Sequence, residues 1–297
     1  MKKNIEKKLN SLIEIKLEKE KNNSISKDMS YISRFMCFAG LPHSKIPGHV
    51  FHRAISFGAS QPVSLKILSE YGIPYGIWAR RLLAYICQQA VRNKNNQTLN
   101  TLQKRTIDLG STQADFLRLV KKSDILATGG KNGSLTAIHE QARRLFSSSI
   151  KVESVTQKKW SFKNSLFAEE GMIFWESELR NIWEGRIILS QSFYDDIVQN
   201  AVPIESVVIK NLRSALTFDI YLWLRWKTHH LKKDTYISWN QLFEQFGYGY
   251  ANTAQGKINF RRDFLSKARE IKLIDTNNSF LWNTQKFGLV FIKKQAS

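Results

Sequence analysis

The sequence predicts an α+β fold, mainly helical, arranged as two tandem winged-helix domains. Three observations predict it: the length, the apolar content and an order of elements that occurs twice. At 297 residues the chain exceeds one average domain. Its 42% hydrophobic fraction, with 18 Phe and 8 Trp, supplies apolar surface for more than one core. The recurring order is helix, short strand, helix, glycine-containing turn, basic helix and β-hairpin, at two places about 130 residues apart. That order is a helix-turn-helix followed by a wing. The repeat is one of pattern, not of identity. The expected boundaries are 1–30 for a basic N-terminal arm, 31–185 for the first winged-helix domain and 186–297 for the second.

The arm, "MKKNIEKKLNSLIEIKLEKEKNN", is either a short helix with Ile5, Leu9, Leu12 and Lys16 on one face or a mobile basic segment. Phe35 to Gly76 is broken by Pro and Gly and reads as loops with short strands. "IWARRLLAYICQQAVRN" follows as a helix, with Leu82, Leu83, Ile86 and Ala90 on its inner side. "TIDLG" is a short strand, and Ser111 is the expected N-cap of "TQADFLRLVKKS". "TGGKNGS" turns into "LTAIHEQARRLFSSS", with Leu135, Ile138, Ala142 and Leu145 facing inward, and "IKVESVTQKKWSF" alternates as a strand pair. In the second half, "LRSALTFDIYLWLRWKTHHL" is a helix apolar nearly all round from Phe218 to Trp226, hence buried, with Trp223 and Trp226 in the core. "TYISW" is a strand and "NQLFEQFG" a helix. "YGYANTAQG" is the turn, and "INFRRDFLSKAREI" belongs to the long basic helix. Two strands around "TNNS" are expected to close the unit.

Charge narrows the partners. Lys and Arg number 45 against 25 Asp and Glu, a formal charge of +20 and a pI near 9.9. Nucleic acid, an anionic membrane and an acidic protein all fit such an excess, and part of the Lys and Asn content fits an AT-rich genome. No apolar run is long enough to span a bilayer, and the arm lacks a secretory cleavage site. The two cysteines, Cys37 and Cys87, do not form a disulfide framework. A cytoplasmic protein with no membrane partner is expected.

The candidate DNA-binding residues lie on the two basic helices. At about 100° per residue, Phe260, Phe264, Ala268 and Ile271 fall in one stripe that seats the second helix on a core. Arg262, Ser266 and Arg269 face away at i, i+4 and i+7, with Asn259 and Lys257 near the helix start. Arg and Asn have the donor geometry that reads guanine and adenine edges, and Ser bonds phosphate. Recognition helices read bases through their N-terminal half, so Arg269 is assigned to phosphate. On the first helix, Ile138, Ala142 and Leu145 set the buried side, while Thr136, Glu140, Arg143, Arg144 and Ser147 spread over the exposed sector. Glu140 is read as the i, i+4 partner of Arg144 and not as a cytosine acceptor. Lys131 and Asn132, in the Gly-rich turn, are set against the DNA backbone. "GGKNGSLT" lacks the order of a phosphate-binding loop. Cys37, His43, His49 and His52 lack zinc-ligand spacing, and "THH" lacks the pattern of a nicking site. No catalytic residue, metal or cofactor is expected, and the chain is not read as an enzyme.

Five phrases in order carry a resemblance. "GIPYG", "DLGSTQADF", "GGKNG", "QARRLF" and "DIYLWL" resemble phrases that recur in the RepA-type plasmid replication initiators. The similarity runs from about "LPHSKIPG" to the C-terminus; the arm is not shared, and the chain is unusually rich in Lys and Asn. The resemblance implies two winged-helix domains and binding to repeated origin sequences (iterons) in double-stranded DNA. It also implies recruitment of the host replication initiator and replicative helicase, and autorepression of the protein's own promoter. A monomeric iteron binder and a homodimer acting as repressor can share one sequence in this kind of initiator. The alternative from another class is a sequence-specific transcriptional regulator with the same fold and no replication role.

Overall fold

The computed structural model describes residues 29–33, 36–37, 40–55, 63–110, 113–120, 133–155, 160–172, 185–205, 208–209, 212–274 and 281–293. Two compact units divide the chain, Tyr31–Val202 and a second whose body is Pro203–Ser297. Helices make up about half of the described residues, so the fold is α+β without being mainly helical.

In chain order the elements begin with β1 (Met29–Ser33), β2 (Val50–Ile55) and β3 (Val63–Ser69). Helix α1 (Gly76–Asn95), short α2 (Thr101–Arg105), β4 (Thr106–Asp108), α3 (Gln113–Val120) and α4 (Ser134–Phe146) follow. Strands β5 (Ser148–Val155), β6 (Trp160–Leu166), β7 (Ala168–Met172) and β8 (Arg186–Leu189), helix α5 (Gln191–Asn200) and β9 (Ala201–Glu205) complete the run. The α1 helix is the centre of this unit: Ala79, Leu82, Leu83, Ile86, Cys87 and Ala90 are all essentially sealed from solvent. Helices α3, α4 and α5 pack against it, contributing Phe116, Ile138, Ala142, Leu145 and Ile197 to the core. These are residues at helical spacing, and their burial is what holds short helices in place.

Two sheets flank the helices. One is antiparallel in the order β2-β3-β5-β6; the other has the order β4-β8-β7. The second sheet corrects the sequence reading. The alternating run "IKVESVTQKKWSF" does form a hairpin, but β5 pairs with β3 and not with the strand before the helix pair. That strand, β4, pairs with β8, and β8 with β7. Ile107 and Ile187, opposite each other, are fully buried and fix the pairing. The third strand of the sheet thus begins at Arg186, so residues 186–202, expected to open the second domain, pack within the first unit.

The second unit contains α6 (Ala215–His229), β10 (Thr235–Ser238), α7 (Trp239–Phe246), α8 (Ala254–Ile274), β11 (Trp282–Gln285) and β12 (Gly288–Phe291). Its sheet order is β10-β12-β11. Both three-stranded sheets therefore run first, third, second strand, with a helix pair between the first strand and the other two. From Ala215 to Leu224, α6 is buried on every side, whereas Trp226 is half-buried and stacks on His230 at 4.9 Å. An aromatic cluster fills the core: Trp223 meets Phe246 at 5.4 Å and Phe291 at 5.2 Å, and Phe246 meets Phe264 at 5.6 Å. Ser238 and Gln241 form a reciprocal capping box that starts α7. The closing hairpin turns at Lys286 and Phe287, not at "TNNS"; the helix instead continues to Ile274, and residues 275–280 lie outside the described set. Gly288 explains the register, because a Cβ there would lie 2.2 Å from the Ile237 carbonyl oxygen. Only glycine lets β12 lie so close to β10 at that point.

Candidate nucleic-acid interface

The α8 helix is organised by opposite faces. Phe260, Phe264, Ala268 and Ile271 are buried, while Gln255, Ile258, Arg262, Ser266 and Arg269 are exposed and Asn259 half-exposed. At about 100° per residue the outward group occupies one arc of about 100°, on the side away from the core stripe. The start of the helix is fixed locally: the Thr253 hydroxyl accepts from the Gly256 amide at 3.1 Å, and the Lys257 amide donates to the Thr253 carbonyl at 3.0 Å. The positive end of the helix thereby lies next to Gln255 and Ile258, whereas Lys257, exposed in the first turn, has the helical phase of the core stripe.

Arg262 is held at its root and open at its end. Its Nε donates to Asp263 Oδ1 at 3.2 Å, while the side chain is 70% exposed. Asp263 is itself anchored, because the Tyr250 hydroxyl donates to its Oδ2 at 3.1 Å. Burial, reinforced by that carboxylate, pushes the Tyr250 hydroxyl up to about 12, so it stays protonated and keeps donating. The Gln255 amide donates to Asn259 Oδ1 at 3.2 Å, linking two amide side chains on the outward arc. Lys257 sits over the Phe243 ring at 5.6 Å.

The hairpin is tied to the helix. Arg261 lies over the Trp239 ring at 4.8 Å and donates from Nη1 to the Lys286 carbonyl at 3.3 Å. The Trp239 amide donates to the Phe287 carbonyl at 3.0 Å. Phe287, at the hairpin tip, is 67% exposed with Lys286 5.1 Å from its ring. Helix face and hairpin tip are thus braced together.

The first unit offers less. Along α4, Thr136 and Arg143 are exposed, and Arg143 stacks on the Tyr71 ring at 3.8 Å. Arg144 corrects the sequence reading, since it is buried and bound within the fold. Its Nη1 donates to the Ile73 carbonyl at 3.1 Å, and its Nε and Nη2 reach Glu140 Oε1 at 3.1 and 2.8 Å. The Glu140–Arg144 pairing is the one expected; the exposure of Arg144 is not. Gly72, at φ +88°, leaves room for this guanidinium: a Cβ there would lie 2.6 Å from Arg144 Nη1. Next to it, buried Gln141 accepts from the Tyr75 amide at 2.7 Å. The phrases "PYG" and "QARRLF" therefore meet at one structural joint. Lys131 and Asn132 lie outside the described residues.

Cys37 is buried, and His49 and His52 bond Ser69 and Ser64 at 3.0 and 2.8 Å. Burial raises the Cys87 thiol to about 12, which removes its nucleophilic form. Gln255, Ile258, Lys286 and Phe287 were not singled out in the sequence. The first two share the helical phase of Arg262, a signal that was present, whereas the hairpin tip depended on locating the turn.

The plasmid-encoded RepA protein family model matches residues 73–241, more than half of the chain. The chain belongs to the plasmid-encoded RepA family. The matched span opens at the Ile73 carbonyl that receives Arg144 and ends within α7, so it covers α4 and leaves α8 beyond its edge. Two crystal structures of domains 2 and 3 of RctB share the fold. One, of a selenomethionine derivative, has 9% identity and a TM-score of 0.53 over 89% of this chain and 98% of that one. The other has 10% identity and a TM-score of 0.50 over 88% and 96%. No curated protein sequence matches this RepA family member. Among the described residues no helix is long and apolar enough to cross a membrane.

Proposed function

We propose that this RepA family protein is a non-enzymatic plasmid replication initiator. It binds iterons in double-stranded DNA through two winged-helix modules and recruits the host replication initiator and replicative helicase. The observation that carries the reading is the outward arc of α8, where Arg262, Ser266 and Arg269 lie opposite a fully buried stripe. The shared first-third-second strand order around a helix pair supports the assignment of both units as winged helices. The α8 helix carries base reading through Arg262 and Asn259, with Arg269 and Ser266 on phosphate. The α4 helix, with Arg143 and Thr136, adds backbone contacts, and Lys131 and Asn132 extend them. Each recognition helix takes one major groove, so a site of about two helical turns is expected.

The test is a footprint of the purified full chain on the direct repeats flanking its gene, with scrambled repeats as control. If roughly eight phosphates are neutralised, log K falls with log salt at a slope of about −7. Protection of the repeats and plasmid replication in a host carrying only this gene and those repeats support initiation. Protection confined to a promoter, with no replication, favours a transcriptional regulator.

A further inference from the structure

The geometry points to Ile258 as a side chain that recognises the 5-methyl group of thymine in the major groove, an inference that rests on the DNA-binding reading above. Ile258 is 60% exposed, although Phe260 and Phe264 on the same helix are fully buried. The helix does not need it for packing, because Ile258 lies on the outward arc with Gln255 and Arg262. A β-branched residue at such a position also lowers helix propensity relative to Ala or Lys.

Its surroundings select the class of ligand. Ile258 adjoins Lys257 in sequence and stands one turn from Arg261 and Arg262, so it is an exposed apolar side chain with cations on both sides along the helix. A protein partner would require a contiguous apolar patch. Duplex DNA matches instead, because it is a polyanion whose major groove presents single methyl groups, one on each thymine. Adjacent Asn259, bonded to Gln255, supplies the amide geometry that reads adenine N6 and N7. An adenine contact by Asn259 and a methyl contact by Ile258 would then fall on the same or neighbouring A·T pairs. The location in the first turns of α8 is where a recognition helix comes closest to base edges.

The experiment uses full-length protein and duplexes selected by it from a randomised pool. Each thymine of the selected consensus is replaced in turn by deoxyuridine, which removes only the methyl group. Wild-type protein should lose roughly four-fold in affinity at one or two adjacent thymines, the worth of one buried methyl. Ile258→Ala should bind the unmodified duplex with about that same loss and show no further loss at those uracils. Because Ile258 is exposed, thermal melting of the variant should match the wild type. If no thymine is sensitive, or if the uracil effect is equal in wild type and Ile258→Ala, the assignment is overturned while DNA recognition stands. If selection yields no consensus and all duplexes are held equally, the DNA-reading proposal itself fails, and this inference with it.

Discussion

Arg262→Ala removes the cation that the proposed function assigns to a base edge. Two effects must be separated. Within the free protein, Arg262 contributes only a largely exposed pair with Asp263 at 3.2 Å. Such pairs are worth about 0–1 kcal/mol, so the thermal midpoint should scarcely move. On the cognate duplex a bidentate contact to guanine is worth about 1–3 kcal/mol, a loss of roughly 5- to 150-fold. On scrambled DNA the variant loses only a positive charge near the phosphates. The measurement is fluorescence anisotropy at several salt concentrations, with the selected and scrambled duplexes side by side. Arg262→Ala should weaken the selected duplex far more than the scrambled one and relax preference at one base pair. If both duplexes weaken by the same factor and the salt slope becomes shallower by about one unit, Arg262 is a phosphate contact. Base reading by α8 would then lose its main support.

Asp263→Asn should lower discrimination between the two duplexes by up to about five-fold, because it loosens the hold on Arg262 Nε while making the surface more positive. An unchanged ratio would show that Asp263 does not orient the arginine. Gly72→Ala should destabilise the first unit by about 3–4 kcal/mol. This combines the strain of a side chain at φ +88° with displacement of Arg144 from the Ile73 carbonyl. Hydrogen exchange over Ser134–Phe146 measures it, and undiminished protection there would refute the joint. Burial holds His139, which stacks on Phe116 at 6.3 Å, below its usual pKa of 6.5. The unfolded chain therefore takes up a proton that the folded chain resists. Stability is full above pH 6.5 and declines as pH falls below it, by at most about 1.4 kcal/mol per unit. His139→Gln should flatten that decline in melts compared across this range. Parallel curves for both proteins would exclude His139 as the source.

Arg143 and Arg144 show why helical phase locates one face of this protein and leaves the other unresolved. Helical phase puts both on the exposed sector of α4, since neither lies on the stripe of Ile138, Ala142 and Leu145. One is exposed and the other buried, because the carbonyl that satisfies Arg144 belongs to Ile73, far away in sequence. A guanidinium is buried only where fixed acceptors replace water, and no periodicity encodes where a distant carbonyl will lie. The α8 helix was legible for the complementary reason. Its core stripe is aromatic and regular, so its outward arc follows from geometry within one element. Ile258 is apolar, yet its phase puts it beside Arg262 on that outward arc. The first sheet failed differently. Alternation in "IKVESVTQKKWSF" correctly marked strands, but alternation carries no information about partners. Ile107 and Ile187 join β4 to β8 across an inserted hairpin, and that pairing moves the end of the first unit beyond residue 185. The family phrases bear on this division. "PYG" and "QARRLF" supply Tyr75, Gln141 and Arg144, all engaged in the joint that sets α4 against the turn before α1. These phrases therefore mark the scaffold: what they share is a set of side chains and carbonyls that lock α4 in place, and α8 lies outside the matched span.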